Sequence, residues 1–323
     1  MNVINTSVSL NISVVRPEYF FITGLSGIPY TRYHYIFLFC IYFIAVIGNC
    51  AVLVIIVVNR SLHSPKYISV FNLALADLGI TNAQIPNIVR TFLFESQYIS
   101  YNACLANMTF VYFFSGTQVL TLVVLAYDRF TAICLPLRYH AIVTNTVMFV
   151  VFSAIYALTA VMIIIMVYFI SRLSFCKTNV IESYFCDHGP VYRLACNDNS
   201  NSASHAKLIT GVYLLGPFPI IVISYLAIFL VLSKITNWEG CIKALRTCAS
   251  HLLVVGLVYL PKTCIYIIAF TTYLSPNARI ISSSLSYVIP PMLNPMIYVL
   301  NTAEIKDTIR KAFKNRSGPG VLN

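Results

Sequence analysis

AYDRFTAIC (126–134) stands where a long apolar stretch of this chain gives way to polar sequence. Upstream, Met108 to Ala126 contains no Asp, Glu, Lys or Arg. As a helix that run spans ~28 Å, enough to cross the hydrocarbon of a bilayer. The adjacent Asp128 and Arg129 are therefore expected at a membrane surface, facing an aqueous loop. Working outward from this stretch, apolar segments of spanning length recur at 34–58, 67–92, 103–127, 146–170, 208–232, 247–273 and 280–300. Seven crossings put the two termini on opposite sides of the membrane. The expected fold is an all-α membrane protein, a seven-transmembrane helix bundle over residues 33–301, with a leading segment at 1–32 and a tail at 302–323.

Composition points the same way. Hydrophobic residues make up 59% of the chain and charged residues 10%, with a mean hydropathy of +0.80. A soluble domain carries roughly 25% charged residues, so this chain would not stay monomeric in water. Orientation follows from the basic residues. Arg60, Lys66, Arg129, Arg138, Lys234, Lys243, Arg246, Lys306, Arg310, Lys311, Lys314 and Arg316 fall on one side, which is expected to be cytoplasmic. Arg16, Arg32, Arg90, Arg172, Lys177, Arg193, Lys207 and Arg279 fall on the other, so the bias is moderate. The net charge of +11 then belongs to a surface facing anionic lipid, not to a nucleic-acid site.

An outside N-terminus agrees with two N-glycosylation acceptor patterns, at Asn5 (Asn5-Thr6-Ser7) and Asn11 (Asn11-Ile12-Ser13). The first span is too long for the apolar core of a cleaved leader and is expected to act as its own signal anchor. Cysteines divide by compartment. Cys104, Cys176, Cys186 and Cys196 face outward and allow three pairings, whereas Cys40, Cys50, Cys134, Cys241, Cys248 and Cys264 lie in spans or on the reducing side. Paired CxxC spacing is absent, which disfavours a zinc site, and no cofactor is expected.

Several motifs, in order, carry a resemblance that runs through nearly the whole chain. Gly48-Asn49, LHSPKY (62–67), NLALADL (72–78), AYDRFTAICLPLRYH (126–140), KALRTCASHL (243–252) and PMLNPMIY (291–298) resemble those of odorant receptors, in the rhodopsin-like class of G-protein-coupled receptors. The cysteine-rich loop from Phe175 to Asp198 resembles theirs too. PLRYHAIV (136–143) looks more like receptors of fish and the related tetrapod class tuned to water-soluble odorants. The resemblance implies a small-molecule odorant as ligand, and a stimulatory G protein of the olfactory type that raises cyclic AMP. It also implies a multi-pass plasma-membrane protein with an extracellular N-terminus and a cytoplasmic C-terminus. Cys104–Cys186 and Cys176–Cys196 are the disulfides it implies.

In related receptors the arginine at the position of Arg129 holds the inactive state through its acidic neighbour, here Asp128, and then turns to the G protein. Tyr225, Asn294, Pro295 and Tyr298 match residues that reorganise on activation. Asp77 is the one acid well inside a span. Leaving it without a partner there would cost at least ~2.5 kcal/mol, so it is expected to share a polar interior with Asn49 and Asn294. Relatives hold a sodium ion in such a cavity, but Gln118 stands where many odorant receptors carry a second acid, and a water network fits equally well.

Lys262, after Pro261, is the feature most particular to this chain. About ten residues separate it from either end of its span, so ~15 Å of helix lies between it and water, while its side chain reaches only ~6 Å. Snorkelling cannot rescue the charge. It must face the bundle interior, beside water, a carboxylate or a ligand. Tyr259, Lys262, Thr263 and Tyr266 share one helical face and are expected to line a pocket. Met108, Val111, Tyr112 and Ser115 on the third span, with Ser283, Ser284 and Tyr287 on the seventh, supply further walls, although ordinary helix packing explains any single one of them as well. An anionic or strongly accepting ligand group would neutralise the buried ammonium.

After the last span, Ile305, Ile309, Ala312 and Phe313 recur at helical spacing between Lys306, Arg310, Lys311 and Lys314, which predicts a short amphipathic eighth helix on the membrane surface. A transporter or channel would show repeats or more ionisable residues at depth. An enzyme would need a convergent nucleophile and base, and His251 is isolated. The nearer alternative is a rhodopsin-like receptor for a lipid or metabolite outside olfaction.

Overall fold

The structure, a computed structural model, describes residues 14–94, 96–176, 178–234, 238–271, 275–301 and 305–306. Seven long helices make up the body of the described residues. They are α1 (Thr31–Val58), α2 (Pro65–Leu93), α3 (Tyr101–Cys134), α4 (Asn145–Ser171), α5 (Ser200–Leu232), α6 (Trp238–Thr271) and α7 (Pro276–Asn301). Five of these are long and apolar enough by composition alone to cross a membrane; α2 and α7 are the two that are not. Their polar residues point inward instead. Asp77, Thr81 and Gln84 of α2 and Ser284, Ser286 and Asn294 of α7 are buried, while Val54, Phe149, Ile164, Ile223 and Phe229 of other helices are exposed. That is the pattern of a bundle whose solvent is lipid, because apolar side chains need no protein cover there and polar ones do.

The helices pack α1 on α2 and α7, α2 on α3, α3 on α5, and α6 on α7. The approach of α1 to α7 depends on Gly48. A Cβ there would lie 2.8 Å from Cγ of Pro295, so the motif glycine and the motif proline form one contact. Gly48→Ala is expected to cost ~1–3 kcal/mol through overpacking, read as a lower Tm of purified receptor in detergent.

α5 is not a uniform helix. Pro217 cannot donate a backbone hydrogen bond, and Gly211–Leu215 widens into a π turn closed by Gly216 N–H to Gly211 O at 2.8 Å. The wider turn includes Tyr213, one of the residues that line the cavity described below.

At one end of the bundle the leading segment forms a strand. β1 (Tyr19–Ile22) lies between β2 (Tyr98–Ser100), antiparallel to it, and β3 (Val180–Ile181), parallel to it. Phe20 is fully buried, packed edge-on against Phe175 and beside Tyr101. Strands of two to four residues leave no periodicity in the sequence, so the helical reading had no place for them. We call this the strand end.

Three boundaries differ most from the apolar stretches. α5 begins at Ser200 and not near 208, α6 begins at Trp238 and not 247, and α3 runs on to Cys134 and not 127. AYDRFTAIC therefore belongs to the helix. Asp128 is 2% exposed and is not open to water, because Tyr139 of the segment after α3 closes over it. Of the expected eighth helix only Ile305 and Lys306 fall among the described residues.

Candidate functional site

A cavity of ≈ 520 Å³ opens between α3, α5, α6 and α7 under the loop that joins α4 to α5. α3 contributes Tyr112, Ser115 and Val119, spaced along one face of the helix. α6 contributes Lys262 and Ile265, and α7 contributes Ser283, Ser286 and Tyr287. The α5 wall, including Ile209, Thr210 and Tyr213, and the loop wall from Phe185 to Arg193 were not legible in the sequence. The loop reaches the cavity because Cys186 is bonded to Cys104 at the start of α3, with Cα atoms 5.3 Å apart. Cys176 and Cys196 are bonded within the loop, 5.9 Å apart.

Other residues expected to line a pocket are placed elsewhere. Met108 is fully buried one turn nearer the strand end, where the tethered loop covers α3. Val111 turns toward α2 and packs with Ile85, Ile88 and Tyr184. Ser284 faces α1, within 3.1 Å of His34 Nε2. Tyr259 is buried, and its hydroxyl donates to the Val119 carbonyl at 3.2 Å, bridging α6 to α3. Thr263 does not line the cavity, and the Tyr266 side chain lies outside the described residues, as do Asn5 and Asn11. A helical face about 100° wide cannot put every one of its residues on one cavity, so neighbours in phase turn to adjacent helices.

Lys262 has a full set of partners. Its Nζ donates to Ser115 Oγ and to Gln118 Oε1, each at 3.1 Å, and lies 5.0 Å over the Tyr287 ring. Gln118 Nε2 in turn donates to Asp77 Oδ1 at 2.7 Å, and Asn294 Nδ2 donates to Asp77 Oδ2 at 2.8 Å. Asp77 is fully buried, so two amide donors to its carboxylate are what make that burial tolerable. Asn49 sits apart from this cluster. Its Nδ2 donates to the Ala45 and Pro291 carbonyls at 2.9 and 2.8 Å and holds α1 to α7.

The cavity lining is electropositive. Arg193, Lys207, Lys262 and Arg279 line it against one acid among the described residues, Asp187. Asp187 accepts from the Tyr112 hydroxyl at 2.7 Å. Burial pushes its carboxyl above the usual value, against the Tyr112 hydrogen bond and the charges of Arg279 and Arg193. Beside it, burial holds the His188 imidazole down at about 4, with His205 adding to the effect. His188 is 2% exposed, and its Nε2 has no hydrogen-bond partner among the described residues.

The sign of the pH dependence follows. Between pH 6.5 and 4 the unfolded chain protonates this histidine and the folded one does not, so stability falls as pH falls, by ~2 kcal/mol between pH 6.5 and 5. Asp187 acts oppositely, since a raised carboxyl binds its proton more readily in the folded state. The measurement is therefore a difference: Tm of wild type minus Tm of His188→Gln in detergent should decline from pH 7 to pH 5.

At the other end of the bundle, Arg129 Nε lies 3.9 Å from Asp128 Oδ2. Asp128 Oδ1 accepts from Tyr139 at 2.7 Å. Tyr139 belongs to PLRYH, in the short helix Tyr139–Ile142 that follows α3, and the sequence reading assigned it no part in this pair. Tyr225 of α5 is hydrogen-bonded to His251 Nδ1 of α6, with the rings 5.7 Å apart and nearly parallel. Pro295 and Tyr298 lie on α7 between this end and Asn294, and the Tyr298 hydroxyl has no hydrogen-bond partner among the described residues.

The family described as "Olfactory receptor" matches residues 38–316. Olfactory receptor 1E16 of Mus musculus is 32% identical over 302 residues, covering 90% of this chain and 94% of that protein. Olfactory receptor 51F2 of Homo sapiens is 33% identical over 310 residues, covering 94% and 89%. Squid rhodopsin aligns in structure with a TM-score of 0.73 at 17% identity, over 90% of this chain and 88% of that one, and so shares the fold. A seven-helix bundle of rhodopsin type, matched to one family model from within α1 to beyond α7, makes this multi-pass membrane protein a member of the olfactory receptor family.

Proposed function

We propose that this protein is an odorant receptor of the plasma membrane, with the strand end outside the cell and Arg129 at the cytoplasmic face. The orientation is supported by the excess of Lys and Arg in the loops on the Arg129 side and by the two acceptor asparagines, Asn5 and Asn11, in the leading segment. The odorant binds in the cavity among α3, α5, α6 and α7 and biases a two-state bundle, which engages a stimulatory, olfactory-type heterotrimeric G protein and raises cyclic AMP. Ser115 and Arg129 lie fourteen residues apart on α3, ~21 Å along the helix, so ligand and G protein communicate only through helix rearrangement.

The preferred ligand carries a carboxylate, sulfate or phosphate. The observation that carries this reading is the Lys262 ammonium within the cavity wall, with three further cations and one acid lining the same space. An anion in that field gains charge-assisted hydrogen bonds in a medium of low dielectric. A cyclic AMP screen of small acids, each paired with the alcohol of equal chain length, tests it on wild type and Lys262→Met. Selective loss of the acid responses supports the reading, and equal responses by both proteins sink it.

A further inference from the structure

Gln118 lies one turn along α3 from Ser115, is 2% exposed, and uses both ends of its amide. The oxygen accepts from Lys262 at 3.1 Å and the nitrogen donates to Asp77 at 2.7 Å. Asn294 donates to the other carboxylate oxygen at 2.8 Å. One buried amide thus joins the ammonium at the cavity to the carboxylate that ties α2 to α7. Four helices meet through it: α6 at Lys262, α3 at Gln118, α2 at Asp77 and α7 at Asn294.

A lysine ammonium has three donors. Here two go to Ser115 and Gln118, and the charge lies over the Tyr287 ring. The third is open to an anion in the cavity, which draws the ammonium away from Gln118 whether it takes that donor or displaces a partner. It is the stronger competitor, since opposite charges attract in a medium of low dielectric with a strength that a neutral acceptor does not match. Gln118 is then held less firmly from α6, and its hold on Asp77 loosens with it.

We propose that Gln118 is a positioning residue that couples occupancy of the cavity to the Asp77–Asn294 cluster, because a single amide bridges Lys262 and Asp77. The proposal rests on the anionic-ligand reading above. It has a consequence of fixed sign. If an anionic agonist acts by drawing Lys262 off Gln118, cutting the same tie by mutation acts in the agonist direction.

The test uses the full-length receptor in cell membranes, at matched surface density, and reads nucleotide exchange on a set of heterotrimeric G proteins. The ligand probes are the straight-chain carboxylates from acetate to hexanoate and their alcohols. Gln118→Leu is expected to raise output without added ligand by at least ~5-fold, the lower end of typical coupling. Lys262→Met, which removes the same tie from the α6 side and leaves Gln118 its donor to Asp77, is expected to raise that output too. Unchanged or reduced basal output in Gln118→Leu overturns the proposal. Should that variant fail to reach the surface, Lys262→Met decides alone, and unchanged or reduced output without added ligand overturns the coupling. Lys262→Met separates the two readings: if it keeps the preference for acids over alcohols, the anionic-ligand reading falls on its own evidence, whatever Gln118 does.

Discussion

Lys262→Met is expected to raise the concentration of an acidic odorant needed for half-maximal response by at least ~10-fold, while responses to the matched alcohol stay within a few-fold. The size follows from the loss of one charge-assisted hydrogen bond, ~1.5–3 kcal/mol, at ~1.4 kcal/mol per decade. Methionine keeps the length and flexibility of the side chain, so the cavity keeps its shape. Two opposing effects bear on folding. The variant leaves Gln118 Oε1 and Ser115 Oγ without the Lys262 donor, but it also removes an ammonium whose burial is costly. Surface staining should therefore change little, and dose–response curves corrected for it isolate the pocket effect. Equal shifts for acid and alcohol would mean that Lys262 supports the cavity wall without reading charge.

Cys104→Ser is expected to abolish odorant response and most surface expression, and Cys176→Ser to weaken both by less. In the chain-entropy account, closing a separation of 82 residues is worth ~4.5 kcal/mol and one of 20 residues ~3.3 kcal/mol. Both are upper bounds, because helices already held in a bilayer leave the reduced loop less freedom than a free chain. The larger difference is positional. Cys186 is followed directly by Asp187 and His188, which line the cavity, whereas Cys176 and Cys196 fold the loop upon itself. Losing the first bond releases the cavity cover from α3. Cys104→Ser, Cys186→Ser and the double variant should be indistinguishable, since all three break one bond. A double variant clearly worse than either single one would assign the cysteines some separate role.

The family, the seven spans and the depth of Lys262 were legible because they rest on local properties. Apolar length is additive along a chain, and motifs such as LHSPKY and KALRTCASHL are contiguous. α2 and α7 show the limit of that legibility. Their inward polar residues lower their mean hydropathy below that of the other spans, yet each is still an apolar stretch of spanning length. A smaller part of the cavity lining was also within reach. Tyr112, Ser115, Lys262, Ser283 and Tyr287 line the cavity, because helical periodicity places them on inward faces. Met108, Val111 and Ser284 share those helices but not the cavity, and helical phase alone cannot say which neighbour a residue meets.

By itself, then, the sequence determined that the chain crosses a membrane seven times and that Asp77 and Lys262 must find partners inside the bundle. Each follows from the cost of unpaired charge or polar backbone in hydrocarbon, which is independent of the neighbours. Only the tertiary structure decided who those partners are. Gln118 stands between Lys262 and Asp77, Tyr139 shares Asp128 with Arg129, and the loop after Cys186 forms a wall of the cavity. Hydrogen bonds act over about 3 Å between residues far apart in the chain, so their pairing is fixed by how the helices and loops pack and not by any local run of residues.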